Sequence, residues 1–196
     1  MRYTPEYKEQ ARQKLVEAGG RHAKRHGFAG SGMSDLAAAA GVTTGSLYKH
    51  FSGKSDLFVA LITAELQRTA DLFGAIDPQD ASVALATLAS YLSLAHVKQP
   101  EGGCPLPSLT VEVARADGDV KQAFQTGVAA IHANLEKLTG NADRAWALMA
   151  QNVGAVMIAR ALSDEGLQRE LLAALRKAGA GLLLSSNPRE EAPPVQ

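Results

Sequence analysis

The 196-residue sequence has one cysteine, aromatic side chains at only 5% of its positions and no net formal charge. A single thiol forms no intrachain disulfide, and without a CxxC pair or a Cys/His cluster at ligand spacing no structural zinc and no cofactor are expected. Long apolar runs are also missing, since polar or charged residues interrupt each one well short of the roughly 18 residues of a membrane span. The opening MRYTPEYKEQ lacks the apolar core of a secretion signal, so the expectation is a cytoplasmic protein that does not engage a membrane. What remains is 46% hydrophobic residues, enough for one or two packed domains.

The zero net charge hides an asymmetry. Residues 1–55 carry nine Lys/Arg against four Asp/Glu, and the rest of the chain carries the opposite excess. A basic segment of this size suits a polyanion such as nucleic acid, although five charges could equally form a solvated surface.

Sustained period-2 alternation is absent, and Ala, Leu, Glu, Lys, Gln and Arg dominate, so the chain reads as all-α with about nine helices. Thr4, Pro5 and Gly27 bracket a first helix over 5–26. Ser34 caps a short second helix that stops at Gly41, and Thr43 or Thr44 caps a third reaching Phe51. A fourth starts near Ser52 and runs to about Phe73. Further helices are expected over 80–99, 106–116, 119–138, 141–163 and 164–184. The loop PEGGCPLP follows the first of these, and the Pro-rich tail is expected to be disordered.

Two short helices joined by a glycine turn form a helix-turn-helix, which places its second helix in the DNA major groove. In GVTTGSLYKHF, Val42, Leu47 and Phe51 fall on an inner face, while Gly45, Ser46, Tyr48 and Lys49 fall outward at 100° per residue. Gly45 leaves room for a base or sugar, and Thr43 sits at a helix N-terminus suited to phosphate. Tyr48, His50 and Lys54 can reach the flanking backbone, which leaves Thr44, Ser46 and Lys49 as base readers. Ser34, at the start of the second helix, joins the DNA-binding candidates.

The stretch GFAGSGMSDLAAAAGVTTGSLYKHFSGKSDLF, from Gly27 to Phe58, resembles the DNA-binding signature of TetR-family (TetR/AcrR) transcriptional regulators. Two departures are visible. Ser31-Gly32 stands where Thr-Ser is common, and Gly53-Lys54-Ser55 replaces the usual Ser-Lys-Glu. The resemblance implies that Thr43, Tyr48, His50 and Lys54 contact phosphates and that Thr44, Gly45 and Ser46 face bases. It also implies a homodimer through the last two helices, double-stranded operator DNA as partner, and a small-molecule effector held in the C-terminal core. The expected organisation is a DNA-binding domain over 1–52, an effector-binding and dimerisation domain over 53–186, and a tail over 187–196. An enzyme is not expected, and a constitutive DNA-binding regulator without an effector is the alternative.

Cys104 is the sharpest secondary feature. It lies just before a helix N-terminus, where a thiol is acidified, and some similar regulators carry a Gly-Cys pair at this junction. It reads as a sensor of oxidants or electrophiles, or as a small buried hydrophobe. Tyr91, Phe124, His132, Trp146, Met149 and Asn152 could line an effector pocket, although apolar residues at helical spacing are usually core. His22 and His26, beside Arg21, Lys24 and Arg25, read as a basic face rather than a metal pair.

Overall fold

Local sequence signals set the ends of the first helix. The computed structural model describes residues 4–184; the tail expected over 187–196 lies outside the described residues. Helix α1, Pro5–His26, starts where the Thr4 hydroxyl accepts the Tyr7 N–H and ends at Gly27, whose φ of 83° disfavours a residue with a side chain. Its inner face buries Leu15, Val16, Ala18 and Ala23.

Helix α2, Met33–Ala39, starts one residue earlier than expected, and its cap is Gly32 rather than Ser34. Gly32 is extended, and the Asp35 carboxylate reaches back to its N–H at 2.7 Å. The carboxylate thus does the capping assigned to the Ser34 hydroxyl, and Ser34 is exposed. After the turn at Gly41, α3 covers Thr44–Leu47, with the Thr43 hydroxyl accepting the Ser46 N–H. The expected extension to Phe51 is present as successive turns, with Lys49 N–H bonded to Ser46 O, and His50 and Phe51 N–H to Leu47 O.

The remaining elements are α4 (Lys54–Gly74), α5 (Ala81–Tyr91), α6 (Leu94–Lys98), a 3-10 turn (Pro100–Gly102), α7 (Leu106–Ala114), α8 (Gly118–Thr139), α9 (Ala142–Ala161) and α10 (Glu165–Leu184). The single helix expected over 80–99 is two, so the described residues form ten α-helices and no strand. At the break, the Ser93 hydroxyl accepts the His96 N–H, and His96 Nδ1 donates to the Tyr91 carbonyl at 2.7 Å. Arg160 donates to the His96 and Val97 carbonyls, so two carbonyls left open by the C-terminal end of α6 are paired. Among the described residues no helix is long and apolar enough to cross a membrane.

The chain divides into two compact units: the described part of Met1–Thr69 with Gln99–Val128, and Ala70–Lys98 with the described part of Ala129–Gln196. In the first, α1 packs on α2, α7 and the 3-10 turn, and α2 packs on α3. Leu36, Leu47, Phe51, Leu57 and Leu61 are almost wholly buried there. A buried ion pair crosses this core: Lys24 Nζ donates to Glu65 Oε2 at 2.8 Å and to the Gly103 carbonyl at 2.9 Å, and Arg68 closes on the same carboxylate. Burial pulls the Lys24 ammonium below its ordinary pKa, and Glu65 opposes that pull. Gly20 makes the crossing possible, since a Cβ there would lie 2.6 Å from Glu65 Oε1.

In the second unit, α9 packs on α10 and α6, and α10 on α5. Gln168 ties the last turn of α9 to α10 by donating to the Ala159 and Leu162 carbonyls. Leu148, Val156 and Leu172 face inward, whereas Trp146, Met157, Ile158 and Leu167 are left exposed.

Candidate nucleic-acid interface

Burial along 42–51 sorts the side chains as the helical period requires. Leu47 and Phe51 are each 1% exposed, Val42 is half-buried, and Tyr48 stands 54% exposed with Thr43, Gly45 and Lys49 also in the open. Thr44, Ser46 and His50 are half-buried. A Cβ on Gly45 would meet nothing within 4 Å, so this edge of α3 leaves room for a close partner. The face offers hydroxyls, a phenol, an imidazole and an ammonium, the donor set that reads phosphates and base edges. Arg12 covers the back of the motif, its guanidinium 5.1 Å from the Phe51 ring centre.

Lys54 differs from its neighbours in the candidate set. Its Nζ donates to the Ala29 carbonyl at 2.8 Å and lies 5.2 Å from the Phe28 ring centre, so one of its three donors secures the turn between α1 and α2. Ser34 is exposed at the head of α2.

Sequence reasoning passed over the first half of α1. Tyr7, Gln10 and Lys14 share one helical stripe and, with Ser46 and His50, border a cavity of about 220 Å³ beside α3. Tyr7 is 53% exposed, so this stripe adds a phenol and an ammonium next to the recognition face. The signal in the sequence is the helical spacing of these three polar side chains.

The effector candidates are distributed over both compact units. His132 stacks on Trp146 with ring centres 4.2 Å apart, and His132 Nε2 donates to the Ala142 carbonyl. Tyr91 meets His96 edge-on, and Met149 and Asn152 are buried. Phe124 belongs to the other compact unit. Cys104, in the loop PEGGCPLP, is buried, because the Pro100–Gly102 turn folds the segment and Lys24 holds the adjacent Gly103 carbonyl. The thiol is within electrostatic reach of the Lys24 ammonium. His22 is engaged through Nε2 with the Ser31 hydroxyl at 3.1 Å.

A short helix, a glycine turn and a second helix with an open, donor-rich face form a helix-turn-helix, the motif that places its second helix in the DNA major groove. Residues 15–61 match the family model described as bacterial regulatory proteins, tetR family. The match covers the helix-turn-helix and parts of the helices that flank it. The chain is 32% identical over 84 residues to the HTH-type transcriptional regulator TtgR of Pseudomonas putida, a stretch that is 40% of this chain and 40% of TtgR. The fold is similar over far more of the chain. The reduced form of E. coli NemR superposes with a TM-score of 0.67 at 25% identity, covering 86% of this chain and 96% of NemR. A TetR-family regulator from Cytophaga hutchinsonii gives 0.72 at 19% identity, covering 94% of this chain and all of its own.

Proposed function

We propose that this protein is a ligand-responsive transcriptional repressor that binds a palindromic operator as a homodimer and is released by a small hydrophobic or thiol-reactive effector. The carrying observation is the division of α3 and the turns that continue it: Leu47 and Phe51 are locked in the core while Thr43, Gly45, Tyr48 and Lys49 stand open. Two symmetry-related recognition helices require half-sites roughly 34 Å apart, or one turn of DNA, which makes the operator palindromic. Effector release works by differential affinity: the effector favours a state whose helix separation no longer fits the groove, with a coupling of about 1–3 kcal/mol.

The test is selection of genomic fragments by the purified protein at near-physiological salt. Enrichment of a palindrome supports the reading, and enrichment of no sequence rejects it. On the selected site, Tyr48→Ala is expected to weaken binding to all sequences and to lower the salt slope by about 1, as loss of one phosphate contact does. Lys49→Ala is expected to cost about 1–3 kcal/mol and to relax preference at one position. Equal effects of both on every sequence would reject that division of roles.

The thiol-reactive branch rests on Cys104, buried beside the Lys24 ammonium. Adding a bulky group to a buried side chain overpacks its surroundings. Cys104→Ser is therefore expected to keep operator binding within about threefold while losing release by benzoquinone, measured by fluorescence anisotropy of labelled operator. Release that persists in the variant would remove Cys104 from the mechanism.

A further inference from the structure

The turn between α1 and α2 is held by a side chain that is remote in sequence. From Gly27, whose φ is 83°, the chain turns so that the N–H groups of Phe28 and Ala29 point to the same side. The Glu112 carboxylate of α7 fills that concavity: Oε2 accepts Phe28 N–H at 2.9 Å and Ala29 N–H at 2.7 Å, and Oε1 lies 3.1 Å from Phe28 N. Successive N–H groups converging on one anion form a nest, and hydrogen bonds to a carboxylate are about twice as strong as neutral ones. The fit is close, since a Cβ on Gly27 would sit 2.9 Å from Glu112 Oε1.

The opposite side of the turn is fixed by α4. Phe28 is buried and stacks on Phe58 with ring centres 4.1 Å apart, and Lys54 takes the Ala29 carbonyl. Within the turn, the Ser31 hydroxyl donates to Gly27 O at 2.6 Å. Glu112 is therefore the group from α7 that fixes how the chain leaves α1 and enters α2, and α2 packs directly on α3.

We infer that Glu112 is a positioning residue for DNA recognition: by binding the Phe28 and Ala29 amides it sets the direction of α2 and so presents α3 ready for the groove. This rests on the DNA-binding reading above and assigns a role to a residue far from the recognition helix. It carries a sign that distinguishes it from simple electrostatics. Removing a negative charge from a DNA-binding unit by itself raises affinity for a polyanion, whereas loss of the splint lowers it. A carboxylate on a shorter stem keeps the charge and loses the reach.

Glu112→Gln and Glu112→Asp, in the full-length protein on the operator fragment that the wild type selects, are both expected to lose roughly tenfold in affinity. The slope of log affinity against log salt should stay at the wild-type value, because the bound state keeps its phosphate contacts. Native-state hydrogen exchange at Phe28 and Ala29 should accelerate in both variants, with the far-ultraviolet helix signal unchanged. Tighter binding by Glu112→Gln, or wild-type affinity in either variant, would overturn the inference. Wild-type protein that selects no DNA would overturn the DNA-binding reading and the role assigned to Glu112 together, whereas wild-type selection with unaffected variants would overturn the Glu112 role alone.

Discussion

Glu65→Ala is expected to cost about 3–5 kcal/mol of folding stability, the range found when one partner of a buried ion pair is removed. Both side chains are nearly sealed, with Lys24 at 0% and Glu65 at 5% exposure, so water does not compensate for the lost carboxylate. Lys24 would keep only the Gly103 carbonyl for its charge, and Arg68 would lose the carboxylate it shares. For a chain of this length each kcal/mol moves the thermal midpoint by about 2–4 °C, so a drop on the order of 10 °C follows. The deficit has a pH signature. Without Glu65 the lysine's folded-state pKa falls further below its ordinary value, so between those two pKa values the unfolded chain binds more protons than the native one. Stability of the variant relative to wild type should therefore recover as pH rises toward the ordinary lysine pKa. Replacing both partners, Lys24→Met with Glu65→Leu, should restore most of the loss, because burying an ion pair costs about as much as it returns. Chemical denaturation at pH 6 and pH 9 checks each step. Equal deficits at both pH values, or a double variant no better than Glu65→Ala, would show that the pair is not the energetic unit.

That ion pair marks the limit of what the sequence discloses. The ends of α1 were legible because Thr4, Pro5 and Gly27 act within a few residues of the backbone they cap. The inner and outer faces of α3 were legible for the same reason, since one helical turn sorts Leu47 from Tyr48. The end of α6 was not, because its His96 and Val97 carbonyls are taken by Arg160 from more than sixty residues away. A local cue to the break before α6 did exist in Ser93, whose hydroxyl caps the His96 N–H, but the apolar run around it reads as continuous helix. The burial of Cys104 in GGCPLP was left open because nothing nearby says that Lys24 will hold Gly103. Glu112 was invisible as a candidate since its partners are backbone amides of the Phe28–Ala29 turn, and helical periodicity says nothing of distant N–H groups.

In the proposed homodimer, Ile158→Arg is expected to abolish dimerisation and, with it, at least roughly a hundredfold of operator affinity, because two linked half-site contacts become two independent ones. On α9 the positions Trp146, Ala150, Gly154, Met157, Ile158 and Ala161 leave a stripe of apolar and small side chains toward the outside, with Trp146 50% and Ile158 54% exposed. Leu167, Ala174 and Ala178 continue such a stripe on α10. A Cβ added at Gly154 would meet nothing within 4 Å, so a neighbouring helix has room to approach the backbone there. Exposed apolar area of this kind on a single chain is what a second copy would cover, and a stable interface needs roughly 1,000 Å² or more in total. An arginine at the centre of that surface would bring its symmetry mate with it, placing two guanidinium groups against each other in a desolvated contact. The substitution lies outside the first compact unit and should leave its DNA-facing residues folded. Weak half-site binding should therefore survive while the full-site advantage disappears. Sedimentation velocity and anisotropy on full-site and half-site DNA separate these quantities. A dimer of wild-type affinity in the Ile158→Arg variant would move the dimer contact away from this face. A monomer that still binds the full site like wild type would remove the requirement for two recognition helices.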